Sequence, residues 1–272
     1  ERMGVESSRF DPRIGEGIQA LVRPNTKLIY LEAPGSLTFE ISDTPAIVEI
    51  ARKHGIRTAL DNTWGAGLYH KPLDLGVDIS IQALTKYVVG HSDVFAGAVM
   101  TRDTRIAQEV ADTSEDWGIS LSPDDAYTSL RGLRSLATRL KAHEAAGLEV
   151  ANWLTHRPEV AQVIHPALPT HPDHAIWKRD FTGACGLFSF ILKDTPPEAV
   201  DKFIGALSLF SMGFSWGGFE SLIIPCDQQL TRMQDSWTQT RAGPLMRIHI
   251  GLEATSDLLA DLEAGFVAMA DV

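Results

Sequence analysis

Lys27-Leu28-Ile29-Tyr30-Leu31-Glu32-Ala33-Pro34-Gly35-Ser36, followed by Arg57-Thr58-Ala59-Leu60-Asp61-Asn62-Thr63, is the stretch whose reading decides the fold. Each piece is a short apolar run that stops at turn-forming residues, the pattern of a strand leaving a sheet. Between them Asp43 and Thr44 can cap a helix with Pro45 in its first turn. Ile47, Ile50 and Ala51 supply its apolar face, and Gly55 ends it. Strand, helix, strand with short links is the signature of a right-handed crossover in a mostly parallel sheet. Residues 27–32 read as an interior strand and not an edge. The chain opens Glu1-Arg2-Met3-Gly4 without an initiator methionine or a signal-peptide pattern, so it is expected to begin inside a domain, as a fragment does.

Working outward, residues 77–82 and 95–100 read as two more strands and 103–115 as a helix. Residues 123–156 read as one long helix, with Gly132 and Gly147 as candidate breaks. Leu130, Leu133, Leu136 and Leu140 keep helical spacing against Arg131, Arg134 and Arg139. Beyond it the layout becomes α+β, with strands expected at 160–164, 186–192, 221–224 and 245–250 and helices at 197–207 and 256–270. The fold class is α/β. A large domain with a mostly parallel sheet is expected over residues 1–133, and a smaller α+β domain, including the linking long helix, over residues 134–272.

A length of 272 residues and a hydrophobic content of 44% suffice for a sizeable core. A net charge of −11 leaves no basic stripe to neutralise phosphates, which excludes a nucleic-acid surface. Cys185 and Cys226 are the only cysteines. They make neither a disulfide framework nor a CxxC zinc pair, and two reduced thiols suit a cytoplasmic protein. No apolar run approaches the roughly 18 residues of a membrane helix. His165, His171 and His174 lie in a Pro-rich loop without metal-ligand spacing, so they read as surface histidines and no metal is expected. His91-Ser92-Asp93 are adjacent and cannot adopt the geometry of a hydrolase triad.

Open α/β sheets bind ligands at the carboxyl ends of their strands. Two such ends carry Asp61 and Thr85-Lys86-Tyr87. A lysine and a carboxylate facing one cleft suit pyridoxal 5'-phosphate, whose aldehyde needs an amine and whose pyridine nitrogen needs a carboxylate to keep its proton. The Thr85 hydroxyl suits the phosphate. An Asp after a strand is also an ordinary turn or cap residue, and a Thr-Lys pair an ordinary surface pair, so spacing alone leaves both readings open.

The stretches Leu60-Asp61-Asn62-Thr63-Trp64, Pro72-Leu73-Asp74-Leu75-Gly76-Val77-Asp78, Ala83-Leu84-Thr85-Lys86-Tyr87 and Gly90-His91-Ser92-Asp93 resemble, in order and interval, the cysteine/methionine-metabolism family of fold-type-I pyridoxal-phosphate enzymes. The resemblance continues through Ser129-Leu130-Arg131-Gly132-Leu133, His165-Pro166, Phe210-Ser211 and Arg247-Ile248-His249-Ile250-Gly251-Leu252-Glu253, and so covers essentially the whole chain. Residues 208–221 resemble the β-eliminating branch. Relatives that react at the γ-carbon usually show Leu where Trp216 stands.

The resemblance implies pyridoxal 5'-phosphate as cofactor, Lys86 as the lysine that holds it, Asp61 as the partner of its pyridine nitrogen and Thr85 as a phosphate ligand. It implies Arg247 as the anchor for the substrate α-carboxylate, with Ser215 and Trp216 lining the substrate pocket. Many relatives have Ser where this chain has Ala83, so one phosphate hydrogen bond is expected from elsewhere. Within the apolar run Leu245-Met246-Arg247-Ile248, Arg247 needs an anionic partner: either a substrate carboxylate or a protein carboxylate in a structural ion pair. The implied activity is β-elimination of L-cystathionine to homocysteine, pyruvate and ammonia, in a cytoplasmic homotetramer. A γ-lyase or γ-synthase of the same family is the alternative. The family also carries, ahead of the point where this chain starts, a phosphate loop, a ring-stacking aromatic and an arm to a neighbouring subunit. None is recognisable here, which keeps a truncated, non-catalytic scaffold as a third expectation.

Overall fold

The computed structural model describes residues 3–230 and 241–270. Its first sheet runs in the order β1 (Leu28–Glu32), β2 (Arg57–Asp61), β3 (Ile79–Ala83), β4 (Gly97–Met100). β1, β2 and β3 are parallel, whereas β4 returns antiparallel to β3. α1 (Thr44–Lys53) makes the crossover between β1 and β2, and the Asp43 carboxylate caps it by accepting from the Ala46 N–H. α2 (Thr104–Asp116) follows, capped by Asp103. The sheet is therefore the mostly parallel one expected. β1 is nevertheless at its edge among the described residues: Ile29 and Leu31 are buried, but Leu28 and Tyr30 on the opposite face are half exposed. An apolar run buried on one face and bare on the other reads in sequence like an interior strand.

α3 (Pro123–Thr155) runs unbroken for 33 residues. Neither glycine breaks it, because both serve close backbone approach. A Cβ on Gly132 would sit 2.3 Å from the Val88 carbonyl oxygen, and one on Gly147 would sit 3.1 Å from Gly186 Cα. Its buried face also differs from the expected one. Leu130 and Leu133 are 49% and 52% exposed, whereas Arg139, assigned to the polar side, is only 8% exposed. The buried stripe is Ser129, Gly132, Leu136, Arg139, Leu140 and His143. Leucines at helical spacing do not define the core face when an arginine has polar partners inside.

The second sheet has the order β5 (Val160–Ile164), β6 (Leu187–Leu192), β9 (Leu245–His249), β8 (Leu222–Pro225), β7 (Ser211–Met212). It is antiparallel except for the β7–β8 pair. α5 (Pro197–Ala206) and α6 (Thr255–Met269) pack on one face with the second half of α3. Every residue of β6 is buried. Phe188, Phe190 and Leu192 belong to the core under α3, α5 and α6, and Leu187 and Ile191 to the core shared with the first sheet. Burial on both faces explains its unbroken apolar sequence.

The short helix α4 (His174–Asp180), the 3-10 turns Gly15–Leu21 and Pro72–Leu75, and β7 have no strong sequence signal. Around α4 the Pro-rich loop folds inward. His165 and His171 are buried, not on the surface, and their Nδ1 atoms accept from the N–H groups of Ala167 and Asp173. Burial pushes their pKa values down to about 3 and about 4, so both are neutral.

Gly132→Ala should lower the free energy of unfolding by about 1–3 kcal/mol, an overpacking cost exceeding the roughly 1 kcal/mol that Ala gains in a helix interior. A urea midpoint at or above that of the parent protein would show that the helix does not need this close approach.

Candidate active site

The carboxyl ends of β1, β2 and β3 lie side by side, with Glu32 in register with Asp61, and Asp61 with Ile81. They open into a cavity of about 190 Å³ lined by Glu32, Asp61, Thr63, Lys86, Trp216 and Arg247, with Ser36 and Trp64 at its walls. Residues from both sheets thus meet here, as expected for the carboxyl edge of an open α/β sheet.

Asp61 is fixed by its own loop. Its Oδ1 accepts from the Thr63 N–H at 2.9 Å and from the Thr63 hydroxyl. That hydroxyl in turn accepts from the Ala83 N–H at 2.9 Å. One side chain therefore ties the loop after β2 to the end of β3 and leaves Asp61 Oδ2 without a hydrogen bond among the described residues. Beside it stands Glu32, which motif reading passed over. Burial pushes its carboxyl up, the Ser36 hydroxyl at 2.6 Å pulls it down, and Asp61 pushes it up again. The signal was available in sequence, since Glu32 ends a strand parallel to the one that delivers Asp61.

Lys86 sits in the turn that follows β3. Its Nζ donates to Ser215 Oγ at 2.9 Å and lies 5.3 Å from the centroid of Trp216. Burial, and next the charge of Arg247, hold its pKa below the ordinary lysine value. An amine so shifted is a better nucleophile near neutrality.

The turn itself is held from behind by Arg139. Its Nη1 donates to the Tyr87 carbonyl at 2.7 Å, and its Nη2 to those of Val88 at 2.9 Å and Gly132 at 2.8 Å. Gly90 has φ +73°, and a Cβ there would lie 2.0 Å from Arg139 Nη1, so both the backbone and the space demand glycine. Helical periodicity could have found Arg139, because it lies three residues from Leu136 and seven from Gly132.

Arg247 points its Nη2 to the Phe214 carbonyl at 2.7 Å, and burial lowers its pKa. Among the described residues it makes no ion pair with a protein carboxylate, so the structural ion pair left open by the sequence is not formed among them. Thr85, in contrast, is not brought into the cavity. Its hydroxyl donates to the Ala96 carbonyl at 3.2 Å and accepts from the Ala96 N–H at 3.0 Å, which commits it to the loop before β4.

The residues present fit pyridoxal phosphate. A nucleophilic amine, a carboxylate fixed through one oxygen and an arginine that has no acid partner among the described residues line one cavity, whose Trp216 gives it an aromatic wall. A sequence model of the family described as Cys/Met metabolism PLP-dependent enzyme matches residues 1–267. A putative cystathionine beta-lyase of Rhizobium johnstonii is 46% identical over 276 residues, covering 100% of this chain and 69% of the relative. The cystathionine beta-lyase of Salmonella typhimurium is 45% identical, covering 97% and 68%. The crystal structure of cystathionine gamma-lyase from Lactobacillus plantarum, complexed with L-serine, superposes with a TM-score of 0.89 at 32% identity, covering 97% of this chain and 69% of that one. The chain therefore spans about two thirds of the length of these relatives.

Arg247→Met removes a positive charge that depresses the Lys86 amine, so the Lys86 pKa should rise. The pH profile of acylation at Lys86, followed by mass spectrometry in cofactor-free protein, should move to higher pH. A profile that stays in place would deny electrostatic coupling between the two cations.

Proposed function

The chain belongs to the Cys/Met metabolism family of pyridoxal-phosphate-dependent enzymes, and from that premise we propose that it is a carbon–sulfur lyase performing β-elimination on L-cystathionine. With water as co-reactant, the products are homocysteine, pyruvate and ammonia. The observation that carries this reading is the meeting of Lys86, Asp61 and Arg247 at one cavity. The names of the relatives at 45–46% identity support the choice of reaction.

Pyridoxal phosphate, when bound, supplies an aldehyde that captures an amine and a conjugated ring that accepts the electron pair left at Cα. Lys86 Nζ would hold that aldehyde and, once the substrate amine has taken its place, accept the Cα proton. The depressed pKa of Lys86 suits both tasks, because each needs the unprotonated amine. Asp61 would keep the proton on the pyridine nitrogen, with Thr63 preventing the carboxylate from turning away. Arg247 would bind the substrate α-carboxylate with its planar fork and so set the direction of the Cα–H bond. Ser215 and Trp216 would form the wall beside the leaving sulfur, with Trp216 favouring loss at the β-carbon. Thr85 would act on the phosphate only indirectly, by fixing the turn that carries Lys86, or after releasing Ala96.

The same reading includes two domains, residues 1–133 and 134–272, and a cytoplasmic homotetramer. Trp117, Ile119, Leu121, Tyr127, Leu130 and Leu133 support self-association, since together they expose apolar surface around the start of α3. Among the described residues no helix is long and apolar enough to cross a membrane.

In the full chain, pyruvate from L-cystathionine should exceed 2-oxobutyrate, the product of γ-cleavage, and Lys86→Ala should lose both pyruvate formation and the visible absorbance of bound cofactor. Undiminished pyruvate from that variant would remove Lys86 from the mechanism, while a 2-oxobutyrate excess would move the chain to the γ-branch. Sedimentation velocity should give four subunits, and a monomer would discard the assembly.

A further inference from the structure

The segment 214–218 brings Ser215 and Trp216 to Lys86, yet little in its sequence makes it rigid. It contains two glycines and the exposed Phe214. Contacts from outside fix it. Arg247 holds the Phe214 carbonyl. Gly217, at φ +82°, packs so tightly on the Lys86 turn that a Cβ would stand 2.8 Å from Tyr87 N and 3.0 Å from Lys86 Cα. From below, His249 Nε2 lies 3.1 Å from the Gly217 nitrogen and 3.2 Å from the Gly218 carbonyl oxygen.

His249 lies on β9 two residues beyond Arg247, hence on the same face of the strand. Its ring is buried between Tyr87, at 5.8 Å, and His143, at 5.4 Å. His249 Nε2 accepts from the Gly217 N–H in one tautomer and donates to the Gly218 carbonyl in the other, and either bond ties the ring to the same segment. His143 Nδ1 lies 2.8 Å from the Ile250 carbonyl, so it carries the proton there and leaves a lone pair on Nε2. The two remaining nitrogens are His143 Nε2, an acceptor, and His249 Nδ1, which takes the role opposite to that of its own Nε2. Both are buried, with no hydrogen-bond partner among the described residues. Burial and the neighbouring His143 push the pKa of His249 down to about 3, so the ring is neutral at any working pH.

We infer that His249 is a positioning residue for the reaction, whose imidazole, through the hydrogen bond of its Nε2 to the Gly217–Gly218 backbone, holds segment 214–218 against Lys86 and fixes where Ser215 and Trp216 stand. This rests on the reading of Lys86 as the reacting amine. His249 does not line the cavity and acts only through the segment above it.

The test is hydrogen–deuterium exchange of peptides covering 214–218 in the cofactor-free full chain, with steady-state kinetics alongside. In the parent protein the segment should be protected. His249→Phe keeps a ring but removes the Nε2 hydrogen bond, and should speed exchange there by roughly 5- to 10-fold, the worth of one neutral hydrogen bond, with a similar loss in kcat/KM. His249→Gln can offer an amide oxygen near the same place and should restore most of both. Exchange in the parent as fast as in an unstructured chain would overturn the inference even if His249→Phe failed to fold. So would parent-like exchange in His249→Phe, or a His249→Gln variant no better than Phe. Since exchange is read without cofactor, activity surviving Lys86→Ala would undo the reading of Lys86 while leaving the His249–Gly217 contact standing.

Discussion

Arg139 reaches from the middle of α3 to the carbonyls of Tyr87, Val88 and Gly132 and donates from Nε to the Ser135 hydroxyl. No carboxylate neutralises it among the described residues, so three carbonyls and one hydroxyl supply the compensation for a buried charge. Hydrogen bonds to charged groups contribute about 1.5–3 kcal/mol each. Several are needed to offset a desolvation cost of several kcal/mol. The arrangement works only because Gly132 lets α3 touch the turn and Gly90 leaves room for the guanidinium. The location of Lys86 relative to both sheets follows from this clamp. A lysine whose amine must reach a fixed point needs a rigid backbone beneath its flexible stem, and the clamp provides one.

Charge is divided within the cavity. Glu32 and Asp61 approach from the carboxyl ends of β1 and β2, while Lys86 and Arg247 approach from the turn after β3 and from β9. Burial and then the charge of Arg247 lower the pKa of Lys86, and burial, with Asp61 adding to it, raises that of Glu32. Such a site favours a guest that is itself zwitterionic, with an anionic group for Arg247. Amino acids and a phosphorylated pyridine aldehyde both meet that description.

Much of this was legible in sequence because the signals were local. The capped helix α1, the strands ending at Asp61 and before Lys86, and the run that became β5 all declare themselves through turn residues and period. Asp61, Lys86, Arg247 and Trp216 could be named from the motifs that carry them, and they do line a common cavity. What stayed hidden depends on distant partners. Arg139 looked like a surface residue because two of its acceptors, the Tyr87 and Val88 carbonyls, are 52 and 51 positions away, and Thr85 looked free because Ala96 consumes its hydroxyl only after the chain folds back. His165 and His171 looked solvent-facing because a proline-rich stretch gives no periodicity by which to judge its depth. Leu130 and Leu133 misled for the opposite reason, being apolar yet outside.

The shared core beneath the cavity has a bearing on how the molecule comes into being. Leu31, Leu60 and Trp64, from the early part of the chain, belong to one apolar cluster with Ile164, Phe181, Leu187 and Leu245. When the first sheet has left the ribosome, α1 already packs against it, but the part of its lining that faces the second sheet does not yet have its cover. The parallel strands keep that side bare until Ile164, Phe181 and Leu187, and last Leu245, have been synthesised. Vectorial synthesis thus postpones this burial, and holdase chaperones that bind emerging apolar chains gain an opportunity in the interval.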